Sequence, residues 1–96
     1  MDATAQHHTK TVEVTVTFPL STREPYHHKA HETETIGQIR EHAMHHFHVQ
    51  EEPGSEYYLT NDVNHDARVP DSDTVHDVAG EKDVLELTLV KDLVQG

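Results

Sequence analysis

The chain has 96 residues, of which 18 are Asp or Glu and 7 are Lys or Arg, so its formal net charge is −11 when the 11 histidines are neutral. It contains no cysteine, which excludes a disulfide framework, a thiolate metal site and a cysteine nucleophile. A chain of this length supports one domain with a single small core. Its negative charge disfavours nucleic acid and anionic membranes as partners and favours a basic protein surface.

Residues 1–10 are polar and show no periodicity, which predicts a flexible N-terminal tail outside the fold. They lack the apolar core of a signal peptide. No apolar run approaches the roughly 20 residues that a membrane span needs. We therefore expect a cytoplasmic protein, and we expect it to be a monomer.

Strict alternation begins at Thr11, which predicts a half-buried strand whose inner face carries Val12, Val14, Val16 and Phe18. Pro19 ends this strand, and turn residues up to Pro25 lead into a second extended stretch at Tyr26–His31. The second stretch has only a modest apolar face. A strand at the edge of a sheet tolerates that composition, so we expect an edge strand here.

The clearest local signal is Thr35 followed three residues later by Gln38, which is a capping box at the start of a helix. Apolar residues then recur at helical spacing at positions 36, 39, 43 and 47. This pattern predicts an amphipathic helix of about three turns that ends near His48. Its apolar face must cover a sheet.

The second half of the chain predicts three more strands. In Glu56–Thr60 the side chains of Tyr57 and Leu59 share one face, so Tyr58 and Thr60 are expected to point outward. A polar hairpin loop is expected at residues 61–66, followed by a very short strand at residues 67–69 that Pro70 terminates.

The last predicted elements are one helical turn and one strand. Val75 and Val78 lie three residues apart after Asp73 and Thr74, which fits a single helical turn. The segment Val84–Val90 alternates with its three leucines inward, and it is the strongest strand, so we expect it at the centre of the sheet.

Two strands, one helix and further strands make an α+β arrangement with the helix on one sheet face. At this point the chain resembles the ubiquitin-like family, in the stretches AHETETIGQIR (30–40), VPDSDTV (69–75) and VLELTL (84–89). The resemblance implies a β-grasp fold, with a mixed sheet of four to five strands whose first and last strands lie side by side and parallel. The domain is then expected to span residues 11–90, followed by an extended tail at residues 91–96.

The resemblance further implies a prokaryotic ubiquitin-like protein modifier that is conjugated through the carboxylate of Gly96. An ATP-dependent activating enzyme would adenylate that carboxylate, and a conjugating enzyme would deliver the chain to target proteins. A processing or deconjugating peptidase is a further expected partner. Leu93, Val94 and Gln95 are the expected recognition residues of the tail. The chain itself would be neither an enzyme nor the holder of a cofactor.

Five outward positions are the expected partner-binding surface of the sheet, namely Tyr58, Thr60, Arg68, Glu86 and Thr88. Tyr58 stands out because exposed aromatic side chains anchor interfaces. His42 and His46 lie four residues apart on the predicted helix, and this spacing makes them candidate ligands of a transition metal. The same spacing more commonly indicates a histidine-rich helix face that is exposed to solvent.

Two other functions are compatible with the same resemblance. A β-grasp protein of the secretion-system type works as an interaction module that is never conjugated. A sulfur carrier receives a thiocarboxylate at its C-terminal glycine, which adds about 16 Da.

Overall fold

The computed structural model describes residues 10–61 and 64–93. Its elements follow the chain as five strands and two helices: β1 Thr11–Thr17, β2 Tyr26–His31, α1 Ile36–His46, β3 Ser55–Asn61, β4 Asn64–Val69, α2 Val75–Ala79 and β5 Val84–Leu93. The strands form one sheet in the order β2-β1-β5-β3-β4. Neither helix in the described ranges has the length and apolarity that a membrane crossing requires.

The sheet is mixed, as expected. β1 pairs with β5 in parallel, and every other neighbouring pair is antiparallel. The strongest apolar strand, β5, lies at the centre, and the weak strand β2 lies at an edge. Both placements confirm the predictions, because a central strand buries its apolar face more completely than an edge strand does.

Alternation along β1 and β5 builds the core under α1. The side chains that are almost completely buried are those of Val12, Val14, Val16, Ile36, Ile39, Leu59, Val75, Leu87 and Leu89. Each such side chain contributes about 1.5–3 kcal/mol through the removal of apolar surface from water. This core, rather than helix propensity, holds α1 on the sheet.

The helix α1 begins as predicted. The Thr35 side chain accepts a hydrogen bond from the Gln38 N–H, and the Gln38 side chain accepts one from the Thr35 N–H, which completes the capping box. The helix ends at His46, two residues earlier than expected. His48 adopts a left-handed conformation with φ 59°, and the Val49 N–H donates to the Met44 carbonyl at 3.0 Å. These features form a Schellman motif, which ends the helix.

Two predicted boundaries in the second half of the chain are wrong. β4 begins at Asn64, so most of the expected loop at residues 61–66 belongs to strands, and the register shifts between Thr60 and Asn61. β5 continues to Leu93, whereas the sequence predicts its end at Val90. In both cases the strand is longer than its stretch of alternating apolar residues. Backbone pairing adds residues to it, because the hydrogen bonds of a β-ladder do not depend on side-chain polarity.

Candidate functional site

The outer face of the sheet carries the predicted interaction residues, and the strand register arranges them in rows. One row runs across four strands through Thr17, Thr88, Thr60 and Arg68. A second row lies on one side of the first, and in it Thr15 is opposite Glu86. A third row lies on its other side, and in it Tyr58 is opposite Val90. Directly opposed residues in a sheet have Cβ atoms about 4.5–5.5 Å apart. The register therefore makes one continuous surface from residues that are far apart in sequence.

Tyr58 and Arg68 form the most structured part of this face. The Arg68 guanidinium carbon lies 4.5 Å from the centroid of the Tyr58 ring, and Arg68 Nη1 donates to Glu56 Oε1 at 2.9 Å. The Arg68 side chain is 56 % exposed, so the ion pair contributes less than about 1 kcal/mol. The two contacts nevertheless hold the guanidinium over the ring, which preorganises a cationic and aromatic contact point.

Thr60 is a correction to the predicted surface. It lies on the outer face, but only 4 % of it is exposed. Its short side chain lies between Arg68 on β4 and Thr88 on β5, and both neighbours are in register with it. Alternation in the sequence shows which face a residue occupies, but it does not show which side chains stand beside it. The residues of the predicted set that reach the surface are Tyr58, Arg68, Glu86 and Thr88.

Val90 and Glu56 extend the surface beyond the predicted set. Val90 is half-buried and lies opposite Tyr58, and Glu56 binds Arg68. A sequence signal for Val90 exists, because alternation along VLELTLV puts it on the face opposite the three leucines. No local signal identifies Glu56, since its contact with Arg68 spans 12 residues.

The predicted tail is partly strand. Lys91, Asp92 and Leu93 pair with residues 57, 56 and 55 of β3. The extended tail was expected at residues 91–96, but the first three of these residues belong to β5, because β3 starts at Ser55 and offers them backbone partners. Leu93 is 72 % exposed, which is compatible with recognition by a partner. Val94, Gln95 and Gly96 lie outside the described residues.

The two candidate metal ligands on α1 have different surroundings. His42 is exposed, whereas the His46 Nε2–H donates to the Glu24 carbonyl at 2.9 Å and its ring packs 5.5 Å from that of Tyr26. Within residues 10–61 and 67–93, no group of three or more His, Asp or Glu side chains is arranged to hold a metal ion. His46 is committed to other contacts, so the pair offers one accessible imidazole.

Ionisable groups at the start of α1 are held by neighbours on other elements. The bidentate hydrogen bonds of Arg40 with Asp71, at 3.0 and 2.9 Å, raise the pKa of the guanidinium. Burial alone would raise the pKa of Glu34, but hydrogen bonds from the His31 N–H at 2.8 Å and from His28 Nε2 at 3.1 Å outweigh it and lower that pKa. The first contact joins α1 to the segment before α2, and the second holds the junction between β2 and α1.

A shallow groove of about 320 Å³ lies where β5 begins, at the end of α2. Its lining residues are Asn61, Val78, Ala79, Lys82, Val84, Leu85 and Glu86. No member of this lining set is a Ser, Cys or His nucleophile or base.

Comparison with solved structures identifies the architecture. A ubiquitin of Caldiarchaeum subterraneum superposes with a TM-score of 0.67 at 15% identity, covering 90% of this chain and 99% of that one. ATG8 of Trypanosoma brucei gives 0.65 at 14% identity, with 95% and 81% covered. A structure described as molecular mimicry of SUMO that promotes DNA repair gives 0.63 at 13% identity, with 90% and 98% covered.

No family model and no curated protein matches the chain. The similarity therefore lies in the arrangement of the backbone, and at these identities it shows the fold alone. Together with the parallel pair of β1 and β5 at the centre of a five-stranded sheet, it establishes that this chain has the ubiquitin-like β-grasp fold.

Proposed function

We propose that the chain is a prokaryotic ubiquitin-like modifier that is joined to target proteins through the carboxylate of Gly96. The observation that carries this proposal is the course of β5. This central strand runs past the core while still paired with β3, and its exposure rises from 0% at Leu89 to 72% at Leu93. The last described residues of β5 thus lie outside the buried core, next to the residues that carry the proposed chemistry.

The proposed chemistry takes place at the end of the chain. On an activating enzyme the Gly96 carboxylate attacks the α-phosphate of ATP, so that an acyl-adenylate forms and pyrophosphate leaves. An enzyme thiolate then attacks the acyl carbon and releases AMP to form a thioester. A target amine or hydroxyl attacks the thioester carbonyl, so that a C–N or C–O bond forms, the nucleophile loses a proton, the C–S bond breaks and the thiolate leaves. Glycine suits this path because a residue without a side chain fits a narrow channel and adopts backbone angles that other residues avoid.

Two surfaces of the chain serve recognition in this proposal. Leu93, with Val94 and Gln95 after it, offers an apolar segment that the activating and conjugating enzymes contact. The outer sheet face offers Tyr58 and Arg68 as an anchor, and the net charge of −11 favours enzymes with basic surfaces. A deconjugating peptidase would use the same contacts. We place the whole cycle in the cytoplasm.

The test is reconstitution with the ubiquitin-activating-like enzymes of the source organism. With ATP, the chain ending at Gly96 should give an adduct that dithiothreitol cleaves, and deletion of Gly96 should abolish it. Deletion of residues 1–9 is the matched control and should leave the adduct unchanged. Absence of the adduct with every such enzyme, or its survival after deletion of Gly96, would contradict the proposal.

A non-conjugated interaction module is the second candidate, and one observation favours it. Lys91–Leu93 pair with β3 rather than extending freely, which shortens the segment that an activating enzyme can reach. A module of this kind should bind its partner equally well when residues are added after Gly96. A mass gain of about 16 Da after incubation with a sulfur donor would instead indicate a sulfur carrier.

A further inference from the structure

The groove at the start of β5 has an apolar floor and an exposed apolar rim. Ala79 and Leu85 are buried in its floor, Val78 is half-buried, and Val84 is 50% exposed. Val84 begins a strand whose next apolar residues all point into the core. Its own side chain therefore leaves apolar surface in water, and contact with a partner would remove that surface from water.

Val84 lies between two carboxylates on the outer sheet face. The strand register places it directly opposite Glu13 on β1, and Glu86 follows two residues later on the same face. Within residues 10–61 and 67–93, neither carboxylate has an ion pair or accepts a hydrogen bond. An apolar side chain bordered by two unpaired carboxylates fits a group that is both apolar and cationic. Arginine and lysine have this character, because their stems cover apolar surface while their charged ends reach an acid.

The charge around the groove favours a cationic partner in spite of nearby lysines. The charged side chains in or beside the groove are the carboxylates of Glu13, Glu81, Asp83 and Glu86 and the ammonium groups of Lys10, Lys29 and Lys82. Lys10 is already engaged, because its Nζ donates to the Glu81 carbonyl at 2.7 Å and lies 3.4 Å from the Asp83 carboxylate. Lys29 lies opposite Glu13 on the side away from Val84. Lys82 precedes β5, so it directs a cation towards Glu86, and the net charge of −11 adds a long-range attraction.

The groove is distant from the other contact surfaces of the chain. Val84 is six positions before Val90, the residue opposite Tyr58, and nine positions before Leu93. At about 3.3 Å per strand residue, these separations correspond to roughly 20 Å and 30 Å. A partner in the groove therefore leaves Tyr58, Arg68 and the end of β5 accessible.

We propose that the groove and its Val84 rim are a docking site for a segment of a partner protein that presents apolar side chains together with arginine or lysine. The apolar side chains fill the space between Val78 and Val84, and the cation reaches Glu86, with Glu13 across the sheet. The contact is small and solvent-exposed, so it is weak and reversible. Because the groove and the tail lie at opposite ends of β5, the site is open in the free chain and after any use of the tail. It does not depend on conjugation.

The test is an NMR titration of the full chain with a short synthetic peptide that alternates leucine and arginine. A second peptide of equal charge, in which serine replaces every leucine, is the control for non-specific attraction to an acidic protein. The leucine peptide should bind at least about fivefold more tightly than the serine peptide, because only leucine removes apolar surface from water. Its shift changes should concentrate at residues 78–86. Equal affinity of the two peptides, or shift changes centred elsewhere, would overturn the docking site.

Exposed substitutions identify the residues responsible without disturbing the core. Val84→Thr should lower the affinity for the leucine peptide about fivefold, and Glu86→Gln should lower it about threefold. Leu20→Ser removes another exposed apolar side chain, and Glu41→Gln removes another exposed carboxylate, so both are matched controls that should leave the affinity unchanged. Equal losses in the test and control variants would contradict the assignment.

The same spectra distinguish other occupants of the groove. If a second copy of the chain filled it, the Val84 amide shift would change with protein concentration in the absence of peptide. If residues 1–9 of the same chain filled it, deletion of those residues would change that shift. Either result would overturn the proposal, because the site would already be occupied by the chain itself. An open site should show neither change.

Discussion

Thr35 and Thr74 pair in an isolated antiparallel bridge, and each of them caps the helix that follows it. The first N–H of α1, on Ile36, donates to the Asp73 carbonyl at 2.8 Å, and the first N–H of α2, on Val75, donates to the Glu34 carbonyl at 2.8 Å. Each helix start thus provides a carbonyl acceptor for the first backbone N–H group of the other helix, which has no partner within its own helix. The two capping boxes form one joint between the halves of the fold.

We expect Thr35→Ala to lower the free energy of unfolding by about 1 kcal/mol, because the substitution removes the cap hydrogen bond. Thr74→Ala should cost a similar amount. Because the two residues are paired, the effect in the double variant should differ from the sum by more than about 0.5 kcal/mol. Urea denaturation measures all three values. Thr33→Ala, an exposed change nearby, is the control and should have little effect, and strict additivity would argue against the joint.

His48→Gly should stabilise the protein by roughly 0.5–1 kcal/mol. His48 occupies the left-handed region with φ 59°, where a β-carbon is strained and glycine is not. The melting temperature of His48→Gly should rise relative to the wild type. His48→Ala keeps the β-carbon and should give no such gain, so an equal rise in both variants would show that the imidazole, not the backbone, is unfavourable there.

The pH dependence of Glu34 follows from its lowered pKa. A carboxyl with a lower pKa in the folded chain stabilises the fold above its unfolded value of about 4.3, and the stabilisation disappears as the pH falls through the lowered pKa. Glu34→Gln should therefore cost about 1 kcal/mol or less at pH 7 and progressively less as the pH falls below about 4. Denaturation curves across this range check the prediction. Glu41→Gln, at an exposed position, should show no such trend.

On the outer face, substitutions at Tyr58 and Thr60 are expected to change different properties, partner affinity for Tyr58 and folding stability for Thr60. Tyr58→Ser should weaken binding to the activating enzyme by about tenfold or more, as expected for an anchoring aromatic residue. Thr60→Ala should instead lower the free energy of unfolding by about 1 kcal/mol, because Thr60 is buried. It should leave the affinity unchanged. Calorimetric titration and denaturation of both variants give the comparison, and a loss of affinity in Thr60→Ala alone would contradict this assignment.

Local patterns in the sequence were sufficient for the main elements. Alternation identified β1 and the inward leucines of β5, and the Thr35 and Gln38 pair identified the start of α1. A second capping box, Thr74 with Asp77, is present at α2 and has the same spacing in the sequence. The prediction of this turn rested only on the apolar spacing after Thr74. These features depend on residues within one turn or one strand, so the sequence shows them directly.

The end of β5 shows what pairing between distant segments decides. Nothing in Lys91–Leu93 distinguishes a strand from a free tail. Their pairing arises because Ser55 and Glu56, which are more than 30 residues earlier, present backbone groups at the right register. The boundary between domain and tail is therefore a property of the sheet.

The sequence by itself determined the period of each element, the caps, the single core and the strongly acidic charge, because each of these depends on composition or on near neighbours. The tertiary structure decided that Thr60 is covered, that Arg68 lies over Tyr58, and that Tyr26 lies between two imidazoles. Such contacts form only when strands and helix pack. His42 and His46, which by sequence indicated a metal site or a solvated face, thereby acquire defined neighbours in His28 and Tyr26.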